Sequence, residues 1–171
     1  MTEEENLERV KKNGWEIQYI ENPSEEVQLA AVKQRGWAIR YIKNPSEAVQ
    51  LASVQQNGYA IKWLKNPSEE LQMIAVLQFS GLTIENIENP SEEVQLTAAK
   101  QNGAVIEWIK NPSEEVQLAA VTNNGWFVKY INNPSEAVQL AAVTENGWAI
   151  KYIDNPTYRV KVLAELCKDH D

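Results

Sequence analysis

The chain has 171 residues and a formal charge of −8, from 24 acidic against 16 basic side chains. That length suffices to bury one sizeable core, and the acidic balance disfavours partners gripped through their phosphates by counterion release. Its single cysteine, Cys167, excludes an internal disulfide and a cysteine-built zinc site.

From the N-terminus, Met1-Thr2-Glu3-Glu4-Glu5 lacks the basic start and apolar stretch of a secretory signal. The longest clearly apolar run, Met73 to Leu77, is far too short to cross a bilayer. Together these features predict a cytoplasmic protein without membrane contact, or one in the host cytoplasm if its source is viral.

Glycine and proline organise everything that follows. The seven glycines fall at 14, 36, 58, 81, 103, 125 and 147, and the seven prolines at 23, 45, 67, 90, 112, 134 and 156. Each series advances by 22 residues, with one step of 23 at the same place in both. Such a period is the signature of stacked repeats. The predicted organisation is one solenoid domain over 1–171, opening with a degenerate capping repeat at 1–21. Repeats follow at 22–43, 44–65, 66–88, 89–110, 111–132 and 133–154, with a closing segment at 155–171.

Within a repeat, taking the Asn before Pro as position 1, the first part reads as an α-helix. Asn22 suits an N-cap, Pro23 the first helical position, and Glu25 the third position of a capping box. Gly36 suits the left-handed residue that ends the helix. Val27, Leu29, Ala30, Ala31 and Val32 cover most of the circumference, as a helix buried between neighbours requires. The second part, Trp37 to Lys43, puts Trp37, Ala38, Ile39, Tyr41 and Ile42 on one arc at 100° per residue and leaves Arg40 and Lys43 outside it. A strand would mix the two classes, so a short α or 3₁₀ helix is predicted. The fold class is therefore all-α, a solenoid of seven repeats and a closing C-terminal helix.

The phrases Asn-Pro-Ser-Glu-Glu-Val-Gln-Leu-Ala-Ala-Val and Asn-Gly-Trp-Ala-Ile-Lys-Tyr resemble the leucine-rich variant repeat, in the wider class of HEAT-like helical arrays. They also resemble a bacterial and viral repeat family of unknown function. The resemblance covers essentially the whole chain. It implies a curved, right-handed helical array used for recognition, and no particular chemistry.

The ends read as caps. Glu5, Glu8 and Arg9 stand where later repeats have Val, Ala and Ala, and Tyr158, Arg159 and Lys161 replace the usual Glu-Glu and Gln. On this reading the chain is complete.

Eleven of the twelve Trp and Tyr residues occupy positions 16 and 20. A row of rings can stack single-stranded bases, but that use needs a basic groove. The plainer expectation is that they pack between short helices as the second half of the core. Glu25, Glu47, Glu69, Glu92, Glu114 and Glu136 recur at position 4. They would satisfy the start of their own helices, or present an acidic edge to a basic partner. Catalysis has little to use: His170 sits at the end of the tail, and every Gly reads as a lone helix terminator. No enzyme, cofactor or metal is predicted.

The repetition breaks in the middle. Repeat 66–88 carries the extra residue, and Leu77 and Phe79 add apolar bulk there. Leu82, Asn86 and Ala104 interrupt the ring series, and the outward charges turn from Arg40, Lys43, Lys62 and Lys65 to Glu85, Glu88 and Glu107. Leu77, Phe79, Leu82, Glu85, Asn86, Glu88, Ala104 and Glu107 are the candidate partner-binding residues, with local repacking as the plainer account. The sequence thus predicts a scaffold for a protein partner carrying a basic patch, with self-association through the central repeat as a further option. The alternatives are an inhibitor offering an acidic edge to a nucleic-acid-binding enzyme and, less favoured, a repeat-type RNA reader.

Overall fold

A computed structural model describes residues 1–168; His170 lies outside them. Eight α-helices follow one another: α1 (Glu3–Lys12), α2 (Glu25–Gln34), α3 (Glu47–Gln56), α4 (Glu69–Gln78), α5 (Glu92–Gln101), α6 (Glu114–Asn123), α7 (Glu136–Glu145) and α8 (Tyr158–Lys168). Between them run 3₁₀ helices at Gly14–Tyr19, Gly36–Tyr41, Gly58–Trp63, Leu82–Asn86, Gly103–Trp108, Gly125–Tyr130 and Gly147–Tyr152. No strand occurs among the described residues. The all-α repeat architecture is the one the sequence predicts. It divides into two compact units, Met1–Phe79 with Asn86–Asn89, and Ser80–Glu85 with Pro90–Asp171.

The start of each helix differs from the expectation by two residues. Ser24, not Asn22, is the N-cap of α2, and its hydroxyl accepts from the Val27 N–H. Asn22 instead takes a left-handed conformation at φ 46°, as do its equivalents down to Asn155. Asn tolerates that region better than most side chains, which is why it recurs before proline. Glu25 is consequently the first helical residue, not the third. A genuine capping box exists only in α1 among the described helices, where Thr2 and Glu5 bond reciprocally. Elsewhere Gln at position 7 locks the turn: the Gln28 amide donates to the Pro23 carbonyl at 2.8 Å, and the contact recurs through Gln139 to Pro134 at 2.9 Å.

The glycines also do a different job from the one expected. Arg35 ends α2 in extended backbone, and Gly36 opens the 3₁₀ helix without a left-handed φ. What Gly36 supplies is space. A Cβ there would lie 2.6 Å from the Ser53 carbonyl oxygen of the next repeat. Gly81 alone among the glycines has positive φ, at 78°, and it follows left-handed Ser80. The inserted residue is absorbed in this Phe79-Ser80-Gly81 turn after α4.

Side chains then close the repeats on each other. The Gly36 N–H donates to Gln56 Oε1 at 2.6 Å, and Gly14 and Gly58 are held in the same way by Gln34 and Gln78. Buried Ser53 donates to the Gly36 carbonyl at 2.9 Å. The core is aliphatic: Val27, Ala31 and Val32 of α2 are sealed against Ile17, Ala38 and Ile39 of the short helices. Closely approaching alanines and β-branched side chains suit such stacking.

The terminal helices change polarity position by position. In α1, positions 6 and 10 become Glu5 and Arg9, while position 11 stays as buried Val10. In α8 the pattern inverts: Val160 and Ala164 remain buried at positions 6 and 10, while positions 7 and 11 become exposed Lys161 and Glu165. Positions 6 and 10 therefore pack toward the preceding repeat, and positions 7 and 11 toward the following one.

Candidate functional site

The rings are not the second half of the core. Trp37, Tyr41, Trp63, Trp108, Trp148 and Tyr152 are all more than a third exposed. The aliphatic residues beside them, such as Ile39, Ile61 and Ile106, take the buried places. Six residues in a 3₁₀ helix make only two turns, so the eclipsed i, i+3 geometry narrows the buried face. Positions 17 and 18 fill it and the rings at 16 and 20 flank it.

Exposed rings are held in place by cations and by each other. In the first compact unit Trp15 meets Tyr41 edge-on at 6.1 Å. Arg40 lies 4.8 Å from the Tyr41 ring centre and 5.0 Å from that of Trp63. In the second, Lys151 lies 4.3 Å from Trp126 and 4.9 Å from Tyr152, whose rings meet at 5.6 Å. A hydrogen bond with Tyr130 is the main reason the Lys129 ammonium is held above the usual lysine range; the charge of Glu107 adds to it. Cations over rings of this kind keep long side chains extended along the surface.

The acidic positions form a row of their own. The Glu25 carboxylate accepts from the Ser46 hydroxyl of the next repeat, and Glu3, Glu114 and Glu136 do the same with Ser24, Ser135 and Thr157. These four carboxylates thus bond the next helix's N-cap, a link between repeats that spacing within one helix could not show.

The candidate residues divide between the compact units. Leu77, Phe79, Asn86 and Glu88 belong to the first, and Leu82, Glu85, Ala104 and Glu107 to the second. Within the first unit, Phe79 leaves the helix direction and packs on Tyr59, with ring centres 4.9 Å apart, while remaining 37% exposed. Phe79 therefore joins the ring series in place of the pair its own repeat lacks. Leu77 belongs to a different surface. It is 54% exposed, one turn beyond half-buried Met73 and beside half-buried Ile74 on α4. The equivalent of Leu77 is Lys33 in α2, Gln55 in α3, Lys100 in α5 and Thr122 in α6. Sequence reading singled out Leu77 but missed Met73 and Ile74; their i, i+4 and i, i+3 spacing was the available signal.

Within the second unit, Leu82 and Ala104 are half-buried and Glu85 and Glu107 are exposed. The Ala104 N–H donates to Asn102 Oδ1 at 3.0 Å, so Ala104 is part of a local turn. The charge of Glu107 is the smallest of the causes that raise the Lys129 pKa, after the hydrogen bond with Tyr130 and the charges of Tyr130 and Tyr152. An apolar groove between α5 and α6, floored by Leu96, Leu118 and Ala119, occupies the helix surface of this unit.

No group of three or more His, Cys, Asp or Glu side chains among the described residues is placed to hold a metal ion. No helix there is long and apolar enough to cross a membrane. No family model, curated protein or solved structure matches the chain.

Proposed function

We propose that the chain is a non-catalytic protein-binding scaffold, and that the outer face of α4 is a primary contact. The observation that carries this reading is Leu77, more than half exposed where neighbouring helices place Lys, Gln or Thr. Together with Met73 and Ile74 it makes an apolar patch on a rigid helix, and truncating such anchors removes most of an interface's binding energy. The scaffold needs little ordering to bind, since hydrogen bonds and packing between repeats already fix the helix. Exposed carboxylates at Glu85 and Glu107 suit a basic partner surface in the second unit, as a steering term. Four position-4 carboxylates, Glu3, Glu25, Glu114 and Glu136, are engaged with neighbouring N-caps, which favours a structural use of those four over an inhibitor's acidic edge.

The test compares proteins retained from source-cell lysate by wild type, Leu77→Asp and Lys33→Asp, each checked for an unchanged melting curve. The scaffold reading expects a retained protein that is lost with Leu77→Asp and kept with Lys33→Asp. Identical retention by all three contradicts it.

A further inference from the structure

We infer that the cation-and-ring row of the first compact unit binds a carboxylate-rich segment of a partner protein. This goes beyond the α4 patch and shares with it only the premise that the partner is a protein. Repeats 22–43 and 44–65 expose Arg40, Lys43, Lys62 and Lys65, and the single acidic residue between 37 and 65 is Glu47, at the start of α3. Glu21 of the preceding repeat lines the same cavity as Tyr41 and Lys43, so the row is bordered by one carboxylate there and is basic over Arg40, Lys43, Lys62 and Lys65, on a chain whose net charge is −8.

Arg40 is the centre of the site. Its guanidinium rests against the rings of Tyr41 and Trp63, at 4.8 and 5.0 Å. The guanidinium held over these rings carries five N–H donors in a planar fork that matches a carboxylate. The positions equivalent to Arg40 in the adjoining repeats are Gln18 and Lys62, so neither places a carboxylate there. The rings also fix the side chain beforehand, which lowers the ordering cost when an anion arrives. Lys43 and Lys65 repeat at the 22-residue period and extend the charge along the row.

The same geometry discriminates between two polyanions. Single-stranded nucleic acid gains most of its affinity by stacking bases on exposed rings. Here a base on Tyr41 or Trp63 competes with Arg40 for the ring face. A carboxylate meets the guanidinium edge and leaves the rings undisturbed. An acidic protein segment fits both the charge and the rings.

The experiment measures binding of a fluorescein-labelled decaglutamate peptide to the full chain at low salt, with decalysine and a uridine decanucleotide as parallel probes. Expected is saturable decaglutamate binding that weakens about fivefold in Arg40→Gln and less in Arg40→Lys, which keeps the charge but loses the fork. Lys33→Gln, an equal charge change on an exposed site of α2, is expected to leave it unchanged, as is Leu77→Ser. Decalysine, titrated in a separate sample, should give binding that Arg40→Gln does not weaken. No saturable peptide binding, equal losses in Arg40→Gln and Lys33→Gln, or tighter binding of the oligonucleotide than of the peptide would each overturn the assignment. Loss through Leu77→Ser would also overturn it, whereas failure at Arg40 leaves the α4 reading to its own test.

Discussion

Gly103 packs so closely on Ala120 that a Cβ added to it would lie 2.5 Å from the Ala120 carbonyl oxygen. Its backbone φ is not left-handed, so the requirement is for space between repeats and not for a special conformation. Gly103→Ala is therefore expected to cost about 1–3 kcal/mol, as overpacking does, and Gly103→Val more. Gly103→Asn separates the two causes. Asn is tolerated at a left-handed helix terminus, but its Cβ meets the same carbonyl, so it should melt no higher than Gly103→Ala. Thermal melts of the three variants check this.

At Gly81 both demands coincide: φ is 78°, and a Cβ would approach the Ala98 carbonyl oxygen to 2.7 Å and Ala98 Cα to 3.0 Å. Gly81→Ala combines a left-handed Ala with a clash against backbone. It is expected to lower the denaturation midpoint further than Gly103→Ala, measured under the same conditions.

The period of glycine and proline made the repeat and its two helical parts legible from sequence. The roles of individual residues were less so. Asn22, Pro23, Ser24 and Glu25 all fit a helix start, and propensity alone cannot say which is the cap; the left-handed Asn22 moved it to Ser24. Gly36 has the composition of a C-terminal cap, yet its use depends on Ser53, seventeen residues later. Arg40 could be placed outside the apolar arc, but its contact with Trp63 comes from stacking one repeat on the next. Local pattern revealed local structure. Contacts made across the period needed the fold.

Gln56 illustrates such a contact. Its Oε1 accepts from the Gly36 N–H at 2.6 Å in a partly buried site. Gln56→Ala leaves that donor without its partner and is expected to cost about 1–2 kcal/mol in a denaturant melt. Gln56→Lys, which offers no acceptor, should cost as much; Gln56→Glu, which keeps one, should cost less.

Phe79 is half-covered, with Tyr59 as its ring partner. Phe79→Ala is expected to lose about 1–2 kcal/mol, below the 3–5 kcal/mol typical of fully buried rings. Leu77→Ser should leave the melting temperature nearly unchanged, because that side chain stands mostly in solvent. A large loss with Leu77→Ser would show that α4 buries this face.

Lys129 carries a pH signature. Its pKa is raised chiefly by the hydrogen bond with Tyr130. A lysine raised on folding favours the folded state at neutral pH, and that contribution fades as pH climbs through the raised value. Tyr130→Phe is expected to bring Lys129 back toward the ordinary lysine range, read from its side-chain resonances across an alkaline titration. An unchanged midpoint would remove Tyr130 as the cause.

The scaffold reading turns on where a partner touches. Hydrogen–deuterium exchange on the full chain, with and without the protein that Leu77→Asp fails to retain, measures this directly. The expected result is added protection concentrated in α4, over Glu69–Gln78, without loss of protection in α6 to α8. Protection confined to other helices, or none at all, would contradict the assignment of α4 as the contact.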